Sequence, residues 1–283
     1  MKITEIESDY QKNWLQIRDE KRVKHAEYLS KATHSDFKVF EQVQSLRPLG
    51  VGINLQPNAV RELLDLGLED LLPTIGVQTR EYGMFSKHGL EIWTEPRGQW
   101  AGYQWPQYSV HRGQLQVALY DVIRARAGPD CIELGWQATG YSNTTDGVIL
   151  HLKNKHGKQR DVAGSLVVGA DGIHSVVRKA LFGADDPQFT GIVAWRGVVP
   201  TSALPPPILE PKSAIWIGPG GHCVHYQLRN GALMNFVGAI ERDDWQVESW
   251  NTPGTVEECL AGCDGWDGEI RTIIRGGPVA DRG

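Results

Sequence analysis

Cysteine is scarce: four residues, at 131, 223, 259 and 263, in a chain of 283. That excludes a disulfide framework. Cys259 and Cys263 form the only close pair, and no second pair stands at ligand spacing, which argues against a zinc site. Reduced thiols in a cytoplasmic protein are the plain reading. No apolar run approaches the roughly 20 residues that span a bilayer, so no membrane partner is expected. The opening MKITEIESDYQKNW lacks the apolar core of a secretory signal. Basic charge is not in excess: 29 Lys and Arg stand against 34 Asp and Glu, a net charge of −5. A mildly acidic chain is a poor binder of nucleic acid or anionic membrane. Glycine and proline are missing from residues 1–35, although the chain holds 32 and 15 of them. No internal repeat is present.

What is there reads as a globular chain. Hydrophobic residues make up 41% and charged residues 22%, which rules out disorder, collagen and a coiled coil. Within residues 1–35, Ile6, Tyr10, Trp14 and Ile17 recur at helical spacing. Phe37 to Phe40 alternates into a short strand that ends at Glu41. A glycine-containing loop follows, and Pro57 opens an amphipathic helix to about Leu66, with Gly67 as its stop. His111 to Arg126 has helical periodicity and Gly128-Pro129 ends it. Residues 147–152 and 160–168 read as paired strands, and Leu166-Val167-Val168 runs into Gly169-Ala170-Asp171-Gly172 ahead of a helix from about His174 to Phe182. Four strand-like stretches lie between 186 and 250, with Arg229-Asn230-Gly231 as a hairpin turn. Residues 253–283 hold a short helix around Val256 to Leu260 and then a glycine-rich tail that reads as unstructured. The order implies an α/β nucleotide-type domain interleaved with a mostly antiparallel sheet.

Two places carry chemistry. Glu41 closes a strand, where two carboxylate oxygens can meet two neighbouring ribose hydroxyls. A surface glutamate is the bland alternative. In VVGADGIHSVVR, residues 167–178, a strand ends at glycine and an Asp-Gly pair precedes a helix. There, glycine permits close approach of backbone to a ligand. Asp171 suits either a sugar-alcohol contact or a helix cap, and the pattern leaves both open.

These segments resemble the single-component flavin-dependent aromatic hydroxylases, the group of salicylate hydroxylase and p-hydroxybenzoate hydroxylase. VVGADGIHSVVR resembles that family's DG motif, and FKVFEQ with RPLGVGINLQPNAVRELLDLGL resembles its second strand, flavin-contacting loop and next helix. VHRGQL, AWRGVVP and GPGGHCVHYQLRNGALMNFVG resemble further co-linear segments, so the likeness runs from about Asp36 to about Ile274. It implies an α/β (α+β) fold in which an incomplete FAD-binding Rossmann-like domain (36–76 and 109–185) is interleaved with a substrate-binding sheet domain (77–108 and 186–250). An atypical helical segment (1–35) and a C-terminal remnant (251–283) flank them. It implies that Glu41 binds the adenosine ribose, that Arg47 and Arg112 lie along the pyrophosphate or flavin edge, and that Asp171 and Gly172 meet the sugar-alcohol chain of FAD. His222 and Tyr226, four apart on a strand and therefore on one face, are implied to face a small aromatic substrate. The implied reaction is hydroxylation with NAD(P)H and O2. A homodimer is compatible with it.

The likeness has two gaps. The family's G-x-G-x-x-G turn is missing, since residues 1–35 contain no glycine, and so is its later G-D segment. The pattern reads as truncated at both ends, which implies weakened or lost FAD affinity. A catalytically inactive relative that binds a ligand or partner is the alternative function; a related epoxidase or halogenase is a more distant one.

Overall fold

The computed structural model describes residues 37–46, 51–184, 188–242, 254–277 and 279–282. The helix expected over 1–35 and the predicted site residue Arg47 lie outside these residues. The elements in order are β1 (Val39–Glu41), β2 (Gly52–Leu55), α1 (Pro57–Asp65), α2 (Leu72–Ile75), β3 (Gly76–Gln78), β4 (Glu81–Ser86), β5 (Glu91–Pro96), β6 (Tyr108–His111), α3 (Arg112–Ala127), β7 (Ile132–Leu134) and β8 (Trp136–Thr144). Then follow β9 (Gly147–Asn154), β10 (Gln159–Gly164), α4 (Val176–Phe182), β11 (Ile192–Pro200), β12 (Lys212–Gly218), β13 (Gly221–Leu228), β14 (Leu233–Glu241), α5 (Val256–Gly262), α6 (Gly268–Arg275) and β15 (Val279–Arg282). The chain divides into two compact units: a first from 1–46 and 119–188, and a second from 47–118 and 189–283. The resemblance implied that 47–76 and 109–118 belong with the nucleotide-type domain; chain contacts group them with the sheet.

The second unit is built on a seven-stranded sheet in the order β15-β11-β14-β13-β12-β4-β5. Its pairs are antiparallel except β12 with β4. Along β11 burial alternates strictly, with Val193, Trp195, Gly197 and Val199 inward. These residues join Ala214, Trp216, Cys223, Met234 and Phe236 in one core with Cys259, Cys263, Trp266, Ile270, Ile273 and Ile274 from the two C-terminal helices. Gly197 is required there, because a Cβ would stand 2.1 Å from the Phe236 ring.

The C-terminal region corrects the expected unstructured tail. Asp267 caps α6 by accepting from the Glu269 N–H at 2.8 Å. Ile270, Ile273 and Ile274 give it a buried stripe, and β15 pairs with β11. The glycines that suggested disorder flank this helix and do not interrupt it.

A smaller antiparallel sheet, β2-β6-β3, belongs to the same unit. A relay of polar side chains ties it to the large sheet. Thr79 and Ser109 hydroxyls meet at 2.8 Å, Ser109 donates to Asn54 Oδ1 at 2.6 Å, and Asn54 Nδ2 donates to Ser213 Oγ at 3.4 Å. Helix α1 ends as expected, with Gly67 at φ +71.

In the first unit β1 and β7 form a parallel pair, and β8, β9 and β10 an antiparallel meander. Strand β8 went unread in the sequence because its polar, small residues give no clear alternation. A small core joins Ile123, Cys131 and Ile132 with Phe37, Val39, Tyr120 and Leu134. Residues 166–168 correct a second expectation: they are irregular, and Leu166 and Val168 are 63% and 45% exposed. A strand requires a partner for its backbone groups, and no described strand pairs with this one.

Candidate functional site

In the first unit, Glu41 sits at the C-terminal end of β1, where open α/β sheets place ligands. It is buried, and its carboxylate accepts from the Val43 N–H at 3.1 Å, which fixes its direction. Asp171 is engaged locally. It accepts from Ser175 Oγ at 2.5 Å, from the Val176 N–H at 2.7 Å and from the Val177 N–H at 3.3 Å. Ser175 in turn accepts from the Arg178 N–H at 3.0 Å. Those bonds give Asp171 the capping job that the sequence left open, and they place a carboxylate over the start of α4. Gly172 adopts φ +84, a left-handed conformation that suits glycine. The turn is also tight: a Cβ on Gly169 would come within 2.6 Å of Val177.

In the second unit, Arg112 opens α3, its N–H donating to Val51 O at 3.1 Å. The buried His111 precedes it and accepts from the Gln114 N–H through Nδ1 at 3.4 Å. Burial, helped by the charges of Arg229 and Arg112, holds the His111 pKa below its ordinary 6.5. Tyr226 is buried on β13, opposite Asn235. Asn235 Oδ1 accepts from the Gly52 N–H at 2.8 Å, so the strand carrying Gly52 is pinned beside Tyr226. A Cβ on Gly52 would lie 2.4 Å from the Tyr226 ring. Burial pushes the Tyr226 phenol pKa up, against the pull of Arg196, so it stays neutral.

His222 lies on the same face as Tyr226, as the even spacing required, but it is exposed. Four residues of strand separate their Cα atoms by about 13 Å. Arg196, Ile215, Val224 and Val237 share that face through the β11–β14–β13–β12 register and are half-buried. His225, which the sequence reading passed over, points to the opposite face. It is buried, stacks on Trp216 at 4.8 Å and shares a 3.0 Å hydrogen bond with Glu269. Burial lowers its pKa despite the opposing pull of Glu269. Its only sequence signal was strand parity: it alternates with both predicted residues.

Against the FAD that the resemblance implies, the donor set fits in part. Glu41 offers a fixed carboxylate for a ribose, and Gly172 permits a close approach. The start of α4 does not suit a phosphate, because Asp171 already fills it with negative charge. No open helix N-terminus for a pyrophosphate occurs among the described residues of the first unit.

Residues 36–261 match the FAD binding domain family. The chain is 34% identical over 243 residues to 3-amino-4-hydroxybenzoate 2-monooxygenase of Streptomyces cremeus, covering 84% of this chain and 58% of that protein. It is 40% identical over 145 residues to phenazine 1,6-dicarboxylic acid hydroxylase PhzS of Lysobacter antibioticus, covering 50% of this chain and 36% of that one. The chain thus spans well under two thirds of the length of either relative. In fold it is similar to Klebsiella pneumoniae HpxO complexed with FAD and uric acid, with a TM-score of 0.73 and 20% identity over 92% of this chain and 64% of that one. With four fifths of its residues inside one family match, the chain belongs to the FAD binding domain family.

Proposed function

We propose that the protein is an FAD-dependent monooxygenase that hydroxylates a small aromatic acid with NAD(P)H and O2. The observation that carries this reading is the half-buried face of the seven-stranded sheet, whose strands β4 to β14 lie within the family match. Ile215, Val224 and Val237 offer an apolar bed for a ring, and Arg196 places positive charge on the same face for a carboxylate. Tyr226, neutral and held against Gly52, presents a rigid aromatic wall. Glu41 would hold the ribose of FAD, and Gly172 would let the backbone approach it. When bound, the flavin supplies the redox chemistry, taking two electrons from NAD(P)H and delivering one oxygen atom of O2 to the ring and the other to water. The chain's own contribution is to seat the ring, balance its carboxylate and exclude water from the sheet face.

A second reading has its own support: a family member without a competent flavin site. The carboxylate over α4 and the exposed Leu166 and Val168 favour it. One experiment separates the two. FAD-supplemented protein is incubated with NADH or NADPH and a panel of hydroxy- and amino-hydroxybenzoates. Coupled nicotinamide oxidation and hydroxylated product from one of them is the expected result, lowered at least tenfold in Arg196→Met, as for loss of an ion-paired substrate contact. Uniform absence of turnover with FAD demonstrably bound would overturn the proposal.

A further inference from the structure

The second unit also carries a cleft of about 440 Å³ where α1 begins, with walls that include Asn58, Arg61, Arg97, Tyr103, Trp105 and Gln107; Arg97 lies over the ring of Tyr82, at the β4 edge of the same sheet face. The size is that of a small-molecule pocket. Four observations point to a ligand. Helix α1 is nine residues long and has no side-chain cap; Pro57 carries no N–H, so the Asn58 and Ala59 N–H groups are the ones without an intrahelical partner at the positive end of the dipole. Two arginines and no carboxylate line the cleft. Their ion-pair partners, Glu62 and Glu95, lie outside the lining. Aromatic rings line it too: Trp105 is half-buried with the Arg61 guanidinium 5.7 Å from its ring, and Tyr103 is 60% exposed.

The fourth observation is the most specific. Gln107 is 2% exposed, and its Oε1 is buried without a hydrogen-bond partner; so is Nε of Arg97. Buried polar atoms are rarely left unmatched, because the lost hydration is not regained. The two atoms of an amide exchange places by rotation, so Gln107 can present either a donor or an acceptor to the cleft.

We propose that this cleft is a second ligand site, for a planar aromatic carboxylate bearing a polar ring substituent. The carboxylate meets the start of α1 and Arg97, the ring lies against Trp105 and Tyr103, and the substituent is read by the Gln107 amide. The inference does not depend on flavin binding or on turnover at the sheet face.

The test is a titration of the full ¹⁵N-labelled chain with 3-hydroxybenzoate, followed by NMR. The Trp105 indole N–H is assigned by its disappearance in Trp105→Phe. A saturable shift of that signal is expected, with affinity falling about tenfold or more in Gln107→Leu and in Arg97→Gln, while phenol, which lacks the carboxylate, binds much more weakly. If Gln107→Leu fails to fold by circular dichroism, Arg97→Gln carries the comparison. A Trp105 signal that does not move at millimolar ligand, or that moves with unchanged affinity in the folded variants, overturns the proposal. A shift confined to other tryptophans assigns the ligand to another part of the chain and overturns it as well.

Discussion

Two apolar strand-like stretches in this chain meet different fates. Ile192 to Val199 becomes β11, hydrogen-bonded on both sides, with its Trp195 and Val199 sealed against the isoleucines of α6. Leu166-Val167-Val168 is just as apolar, yet it forms no ladder and leaves Leu166 and Val168 exposed. Hydrophobicity is therefore not what separates them. A strand exists where neighbouring backbone completes its hydrogen bonds and a second layer covers its side chains. The second unit supplies both for its seven strands, whereas the described part of the first unit supplies neither for residues 166–168.

Truncations to alanine in the two stretches put this contrast at greatest risk. Trp195→Ala is expected to cost about 3–5 kcal/mol in urea denaturation, because it empties a fully buried site. Leu166→Ala is expected to stay within about 0.5 kcal/mol of the parent. Similar losses at both positions would break the comparison. Gly197→Ala comes next: its Cβ would meet the Phe236 ring at 2.1 Å, and overpacking of this kind costs about 1–3 kcal/mol. Part of that loss should return in the double variant with Phe236→Leu.

A smaller effect tests the start of α4. Asp171→Ala removes three hydrogen bonds to the cap and should cost about 1 kcal/mol, with faster amide exchange at Val176 and Val177. Unchanged exchange together with weakened FAD binding would reassign Asp171 from cap to cofactor ligand. The most gradual effect is on pH. Burial holds His225 and His111 below 6.5 in the folded chain, so the unfolded chain binds more protons just under that value. Their stabilisation is complete above 6.5 and is lost as the pH falls through the lower folded values. His225 faces Glu269 and Lys212, and His111 faces Arg229 and Arg112. Urea midpoints measured from about pH 7 down to about pH 5 should fall, and His225→Gln should flatten the slope.

Strand β11 was legible because its period-2 alternation is the burial pattern itself, and Arg229-Asn230-Gly231 does turn with all three residues at positive φ. Helix α6 was not, since its flanking glycines masked an eight-residue stripe whose meaning depends on the sheet it covers. At the site, parity placed His222 and Tyr226 on one face but said nothing of exposure, and it concealed His225 on the other. Gln107 and Arg97 were invisible for a different reason. An unpartnered buried atom is a property of packing, and no spacing rule encodes it.

The most direct measurement is a titration of FAD into the purified chain, followed by flavin fluorescence and the visible absorption spectrum. Saturable quenching with a resolved flavin band, at micromolar or weaker affinity, is the expected result for a family member in which Glu41 would hold the ribose while the described residues of the first unit offer no open helix N-terminus for the pyrophosphate. Fluorescence that stays unquenched at FAD concentrations far above that of the protein would contradict the proposed monooxygenase and leave a ligand-binding relative in its place.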